Sequence, residues 1–216
     1  MGPGGFCGLQ LRCLDGFPLR GGFDSLALPP ICSGSRIWRR MKPLNELGQK
    51  ISIIGTSNSG KSTLAQYLAK KLKVPCYHLD QLAFHPNTNW VRRPSEEFIQ
   101  DHNKLLSGES WIIEGNYSSC MKERFDKSDS VIWLDSSVIS CVYRYVARAI
   151  KNDSSRPGRL DGATKEFNFD MITHILFTYP KLRKKYSDLL LSANVSPLII
   201  SSMKKLNKYY KKWELC

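Results

Sequence analysis

Negative charge is scarce in this sequence: 216 residues carry 19 Asp and Glu against 32 Lys and Arg, a formal net charge of +13. Such a deficit invites an anionic partner, nucleotide or nucleic acid, without choosing between them. Much of the excess lies in the runs Lys181–Lys185 and Lys204–Lys212, which read as solvated helix faces. Paired cysteines are also missing. The seven (Cys7, Cys13, Cys32, Cys76, Cys120, Cys141 and Cys216) stand singly with no C-x-x-C. That spacing excludes a disulfide framework and a zinc site and points to a reducing, cytoplasmic compartment. No apolar run reaches the roughly eighteen residues of a membrane span, so a soluble protein is expected. No internal repeat is present.

Residues 1–40 lack hydrophobic periodicity of either kind. They are dense in Gly, Pro and Ser, and Arg12, Arg20, Arg36, Arg39 and Arg40 outnumber Asp15 and Asp24. The composition reads as a disordered extension, or as an over-extended start with Met41 opening the fold. A presequence would want an amphipathic arginine helix, which the Gly and Pro residues interrupt. Residues 41–216 suit one α/β domain with a full core.

That domain begins with a strand, a tight loop and a helix. Ile51–Ile54 is a buried apolar run, and Leu64, Ala65, Leu68 and Leu72 recur at helical spacing. Between them Gly55, Thr56, Ser57, Asn58, Ser59, Gly60, Lys61, Ser62 and Thr63 contain G-x-x-x-x-G-K-[ST] without a mismatch. Glycines at both ends let successive backbone N–H groups turn inward on an anion, and the new helix adds its positive end. Lys61 can reach the β- and γ-phosphates of ATP, and the Ser62 hydroxyl can ligate the accompanying Mg²⁺. The Asn-Lys-x-Asp and Asp-x-x-Gly patterns of a regulatory GTPase are both missing.

Further along, Val74–Leu79 reads as a second strand ending in Asp80, at the sheet edge where α/β proteins bind ligands. Asp80 is either a group for acceptor binding and general-base work or a turn aspartate. The loop His85–Trp90 and Arg92-Arg93-Pro94 resemble a substrate lobe, followed by a helix capped by Ser95. Arg92 and Arg93 either clamp an anion on the acceptor or are solvated. A third strand, from Trp111, delivers Glu114, placed to hold a water of the Mg²⁺ shell. Asp135, after the fourth strand, is its rival, although Asp135-Ser136-Ser137 reads better as a helix cap.

The helix from Val138 to about Lys151 carries Arg144 and Arg148 on one face. The polar loop 152–163 then carries Arg156 and Arg159, as a closing lid over transferring phosphate would need. A long helical pattern, interrupted at Pro180, leads to a fifth strand at Pro197–Ile200 and a last helix capped by Ser202.

Tyr77-His78-Leu79-Asp80-Gln81-Leu82, Trp90 with Arg93-Pro94, and Ile112-Ile113-Glu114-Gly115-Asn116-Tyr117 carry a resemblance. Over roughly residues 50–214 the chain resembles the adenylate-kinase-like branch of P-loop kinases, most closely small bacterial proteins described as adenylate kinases or DNA topology modulation proteins. Their usual Pro-Gly-Trp is stretched here to Pro86–Trp90. The resemblance implies a three-layer α/β/α fold with a parallel five-stranded sheet in the order 2-3-1-4-5. It also implies ATP and Mg²⁺, phosphates on Gly55–Thr63, and Arg156 and Arg159 as lid residues.

The expected function is γ-phosphoryl transfer from ATP-Mg to a small-molecule acceptor: a hydroxyl compound, a nucleoside or a nucleotide. Asp80 favours a hydroxyl over a phosphate monoester, which its charge would repel. The competing expectation is an NTP-binding regulatory or nucleic-acid-associated protein with little turnover. It is the weaker one, because aromatic-interleaved basic motifs are missing. No membrane partner is expected.

Overall fold

A strand that is apolar on both faces is stable only where both sheet faces are covered. The computed structural model describes residues 41–151, 157–158, 168–193 and 195–215, and five such strands meet in it. They are β1 (Lys50–Gly55), β2 (Cys76–His78), β3 (Trp111–Glu114), β4 (Ser130–Leu134) and β5 (Leu198–Ile200). All pair in parallel in the order β2-β3-β1-β4-β5, as expected from the sequence. β1 is central, with Ile51 beside Ile112 of β3 and Ser130 of β4.

Because Ile53 and Ile54 point to opposite faces, each face acquires its own cover. On one, α1 (Lys61–Leu72) and α8 (Met203–Lys212) bring Leu64, Leu68, Leu206 and Tyr209, with Trp213, against Ile51, Ile53 and Ile132. On the other, α4 (Met121–Asp126) and α7 (Tyr179–Ser192) pack Phe125, Tyr179, Tyr186 and Leu190 on Ile54, Val131 and Trp133. A third cluster joins α2 (Leu79–Ala83) and α3 (Ser95–Leu106) to Trp111 and Ile113. α5 (Val138–Lys151) buries Cys141 and Tyr145 against Ile175. Helices thus flank both faces of the sheet.

Local chemistry explains where the expected elements shift. Asp80 does not end a strand: β2 stops at His78, and Asp80 lies in the first turn of α2, where an acid suits the helix dipole. Pro94, not Ser95, occupies the cap position of α3, and Ser95 is its first helical residue. Asp135 does not cap α5; its carboxylate pairs with Arg183. Ser137 takes the capping role instead, its hydroxyl accepting the Ser140 N–H. The pattern around Pro180 resolves into α6 (Phe169–Thr173), a π-helical turn (His174–Thr178) and α7, with Pro180 in the first turn of α7. Proline has no N–H to lose there, and the wide turn before it leaves room for its ring. Ser202 caps α8 as expected, accepting the Lys205 N–H at 3.2 Å.

No helix among the described residues is long and apolar enough to cross a membrane. The expectation for residues 1–40 lies outside the described residues.

The indole N–H of fully buried Trp133 donates to the Tyr179 hydroxyl at 3.0 Å. Tyr179→Phe strands that donor and should cost about 1–3 kcal/mol. Trp133→Ala should cost about 3–5 kcal/mol through the cavity it leaves. Urea denaturation of the two variants measures both.

Candidate active site

The site grows from the carboxyl end of β1. Gly55 has φ +145°, and a Cβ there would stand 2.2 Å from the Leu134 carbonyl oxygen, so only glycine fits. At the other end of the loop Gly60, φ +94°, precedes α1, whose first-turn N–H groups have no side-chain cap. Such uncapped donors at a helix start are free for an anion. The crest is braced from α5: Arg144 donates from Nε to the Asn58 carbonyl at 2.8 Å and from Nη1 to Ser140 Oγ at 2.7 Å. Lys61 folds back along the loop, its Nζ donating to the Thr56 carbonyl at 3.0 Å.

Behind the loop three polar side chains share one oxygen. Ser62 Oγ donates to Glu114 Oε1 at 2.8 Å, and His78 Nδ1 approaches the same oxygen at 2.8 Å. Glu114 is only 3% exposed. Burial alone would raise its pKa, but His78, Lys61 and Ser62 outweigh burial and hold it below the usual value. For His78, burial opposes the charged form, yet Cys76 and Glu114 overcome it and raise the pKa to about 10. His78 is therefore an imidazolium at neutral pH, donating Nδ1–H to Glu114. Gly158 approaches the same place, since a Cβ on it would stand 3.0 Å from both Ser62 Oγ and His78 Nδ1.

No group of three or more His, Cys, Asp or Glu residues that could hold a metal ion occurs among the described residues. The Ser62 and Glu114 oxygens nevertheless suit Mg²⁺, which keeps several waters and takes phosphate oxygens for much of its shell.

Asp80 faces this cluster. Tyr117 donates its hydroxyl to Asp80 Oδ1 at 2.7 Å. The carboxylate is open to solvent, yet desolvation raises its pKa and the Glu114 charge adds to the rise. Tyr117, Lys61 and His78 act the other way. The loop that follows α2 is pinned by an isolated bridge between Phe84 and Arg92 and by His85 N–H donating to the Val91 carbonyl at 2.9 Å. Trp90 packs edge-on to Phe84 at 5.2 Å, and the Arg92 guanidinium lies 5.6 Å from the Phe84 ring centre.

Arg93 is committed to the Leu82 carbonyl at 2.9 Å, Asp101 at 2.9 Å and Glu97 at 3.3 Å, and serves as a strut between the loop and α3. Arg92 remains exposed. Arg156 and Arg159 lie outside the described residues. Ser62, Glu114 and Lys61 come together as expected, with Asp80 within electrostatic reach of Glu114 and Lys61.

Sequence reasoning did not assign His78, Asn116 or Tyr117 to the site, and it left Arg144 open between a phosphate role and a salt-bridge or solvent role. For His78 a signal existed, since it stands at the carboxyl end of a strand like Glu114. Asn116 and Tyr117 sit beside Glu114 in the quoted signature. Arg144 reaches the loop across 86 residues, a contact no local pattern encodes.

No family model and no curated protein matches the sequence. Among solved structures, 57 chains match. A shikimate kinase from Acinetobacter baumannii, in complex with shikimate, is 16% identical over 78% of this chain and 96% of its own, with a TM-score of 0.48. One from Bacteroides thetaiotaomicron is 15% identical over 76% and 97%, with a TM-score of 0.43. A sugar kinase from a Janibacter species is 13% identical over 78% and 96%, with a TM-score of 0.41. These are likenesses of chain path only.

The His78–Glu114 pair sets a stability–pH relation. The folded-state pKa of His78 is raised from 6.5 to about 10. Its stabilisation is therefore complete below about pH 6.5 and is lost as pH rises through about 10. Urea denaturation at pH 6, 8 and 10 should show stability falling over that window, with a shallower fall in His78→Gln.

Proposed function

We propose that this chain is an ATP-dependent phosphotransferase that moves the γ-phosphoryl group of ATP-Mg to a hydroxyl of a small-molecule acceptor. The observation that carries the reading is that Glu114, bonded to Ser62 of the glycine loop, and Tyr117, bonded to Asp80, belong to one short turn, which brings a phosphate cradle and a carboxylate together. Lys61 and the Ser62–Glu114 pair stand on one side, and Asp80, which responds to the charges of both Lys61 and Glu114, stands on the other.

In this reading Gly55–Thr63 hold the triphosphate through backbone N–H groups, and Lys61 leaves the Thr56 carbonyl for the β- and γ-phosphates. Ser62 and Glu114 hold the Mg²⁺ shell, and the ion neutralises developing phosphate charge when bound. Asp80 accepts the proton of the acceptor hydroxyl as its oxygen bonds to the γ-phosphorus. The bond from that phosphorus to the β–γ bridging oxygen breaks, and ADP leaves. Arg92 lies where it can offset negative charge on an acceptor, and Arg156 and Arg159 are proposed as lid residues.

The aromatic wall of Phe84 and Trp90, and the commitment of Arg93 elsewhere, support a hydroxyl acceptor over a nucleoside monophosphate. Within P-loop kinases the signature residues around Asp80 and Glu114 support the adenylate-kinase-like branch, with a different acceptor.

The test is ADP formation from ATP-Mg against a panel of nucleosides, nucleoside monophosphates, sugars and other hydroxyl compounds. Turnover should require a hydroxyl acceptor. It should fall at least about 100-fold in Lys61→Ala and in Asp80→Asn, the scale of a lost phosphate anchor or general base. Because the Asp80 pKa is raised, kcat/KM should fall on the acid side at a pH above the ordinary carboxylate value of about 4. Strong AMP phosphorylation unaffected by Asp80→Asn would overturn the hydroxyl acceptor. ATP binding without acceptor turnover, joined to steeply salt-dependent oligonucleotide binding, would favour the nucleic-acid reading.

A further inference from the structure

The signature that ends in Glu114-Gly115-Asn116-Tyr117 has so far supplied the mechanism with Glu114 alone. Its next side chains reach two other places. The Asn116 amide forms a reciprocal pair with Gly55: the Gly55 N–H donates to Oδ1 at 3.1 Å, and Nδ2 donates to the Gly55 carbonyl at 2.6 Å. The regular ladder between β1 and β3 ends one step earlier, where the Gly115 N–H donates to the Ile53 carbonyl at 3.1 Å. The Asn116 side chain thus supplies the next rung with an amide of its own. Tyr117 turns the other way and donates to Asp80, its ring 4.9 Å from that of Phe98.

The backbone of this turn is held from behind. Arg124, wholly buried, donates from Nη2 to the Gly115 carbonyl at 2.8 Å, and Tyr186 donates to the Asn116 carbonyl at 3.4 Å. Burial pushes the Arg124 guanidinium down to about 10. Among the described residues its Nε and Nη1 have no hydrogen-bond partner, so the Gly115 carbonyl is the anchor that fixes it. Three side chains, those of Glu114, Asn116 and Tyr117, therefore reach Ser62, Gly55 and Asp80 from one immobilised turn.

We propose that Asn116 and Tyr117 are positioning residues that hold the two halves of the phosphoryl-transfer site in register, Asn116 acting on the donor half and Tyr117 on the acceptor half. This rests on the phosphotransferase reading. A phosphate cradle works only if its N–H groups keep their direction, and Gly55 has no side chain with which to hold its own conformation. Asn116 supplies the missing restraint from outside. On the acceptor side, a carboxylate that turns freely presents either oxygen. Tyr117 occupies Oδ1 and leaves Oδ2 as the atom that meets the acceptor proton. In-line transfer is sensitive to such placement, with misplacement by about 1 Å costing on the order of 100-fold in rate.

The experiment uses the full chain as wild type, Asn116→Ala, Asn116→Asp and Tyr117→Phe. Calorimetry gives the affinity for ADP-Mg and for inorganic tripolyphosphate, and ADP formation is followed on water and on the panel acceptors. Asn116→Ala should weaken both phosphate ligands about tenfold, the scale of two lost hydrogen bonds. Asn116→Asp is isosteric and keeps an acceptor for the Gly55 N–H. It sets an oxygen against the Gly55 carbonyl and a charge beside the phosphates, so it should weaken both ligands further. Tyr117→Phe keeps the ring contact with Phe98; it should leave ADP affinity within about twofold and lower kcat about tenfold, the scale of one hydrogen bond at a reacting group. A general structural defect would move affinity and kcat together in every variant.

Two outcomes overturn the proposal. One is ADP affinity in both Asn116 variants equal to that of wild type; the other is a loss of ADP affinity in Tyr117→Phe as large as in Asn116→Ala. If the wild-type chain binds neither ADP-Mg nor tripolyphosphate, the phosphotransferase reading itself fails, a result distinct from either.

Discussion

Burial of β1 is the constraint from which the rest follows. The strand is hydrogen-bonded along both edges and covered on both faces, so Ile51, Ile53 and Ile54 have no exposure at all. A strand so confined cannot slip by one residue without turning its isoleucines to the wrong layer. It therefore delivers Gly55 to a fixed point, and the parallel sheet delivers the ends of β2, β3 and β4 to the same edge. That edge is where open α/β sheets bind ligands. It carries His78, Glu114 and Asp135, and their partners decide which acid serves the glycine loop. Arg183 engages Asp135, while Ser62 and His78 engage Glu114.

The buried polar groups at this edge hold one another in their ionisation states. Glu114 would be a poor anion in isolation, and His78 would be neutral in an apolar pocket. Together each makes the other's charge tolerable, and Lys61 adds to the effect on Glu114. Asp80 takes the opposite consequence, because desolvation and, after it, the negative Glu114 raise its pKa. The two carboxylates are thereby pushed apart, Glu114 toward ionisation and Asp80 toward its protonated form.

Much of this was legible in the sequence, and for definable reasons. Strand order followed from a glycine loop with its surrounding elements, since periodicity located β1, α1, β4 and β5 and a known resemblance supplied the order. The loop residues and Glu114 were legible because each stands where a strand ends. Arg93 was not, because its commitment depends on Leu82, Glu97 and Asp101 and on the angle at which α3 leaves the loop. The placing of Asp80 failed by a few residues: a three-residue strand followed at once by a five-residue helix has too little length for either period to register. Asp135 misled for a related reason. Asp-Ser-Ser before an apolar helix is a sound capping pattern, but the ion pair that displaces it comes from 48 residues away.

The loop between Phe84 and Arg92 also gives the protein an optical property. Trp111, Trp133 and Trp213 are at most 1% exposed, whereas Trp90 is 38% exposed and stands against Phe84. The three buried indoles emit from a dry, rigid interior and are insulated from quenchers dissolved in water. Trp90 sits at the boundary between solvent and Phe84, so its emission carries information about what occupies that boundary. Among the described residues Trp90 is thus a built-in fluorophore in the loop after α2, separable by colour from the three indoles that report on the core.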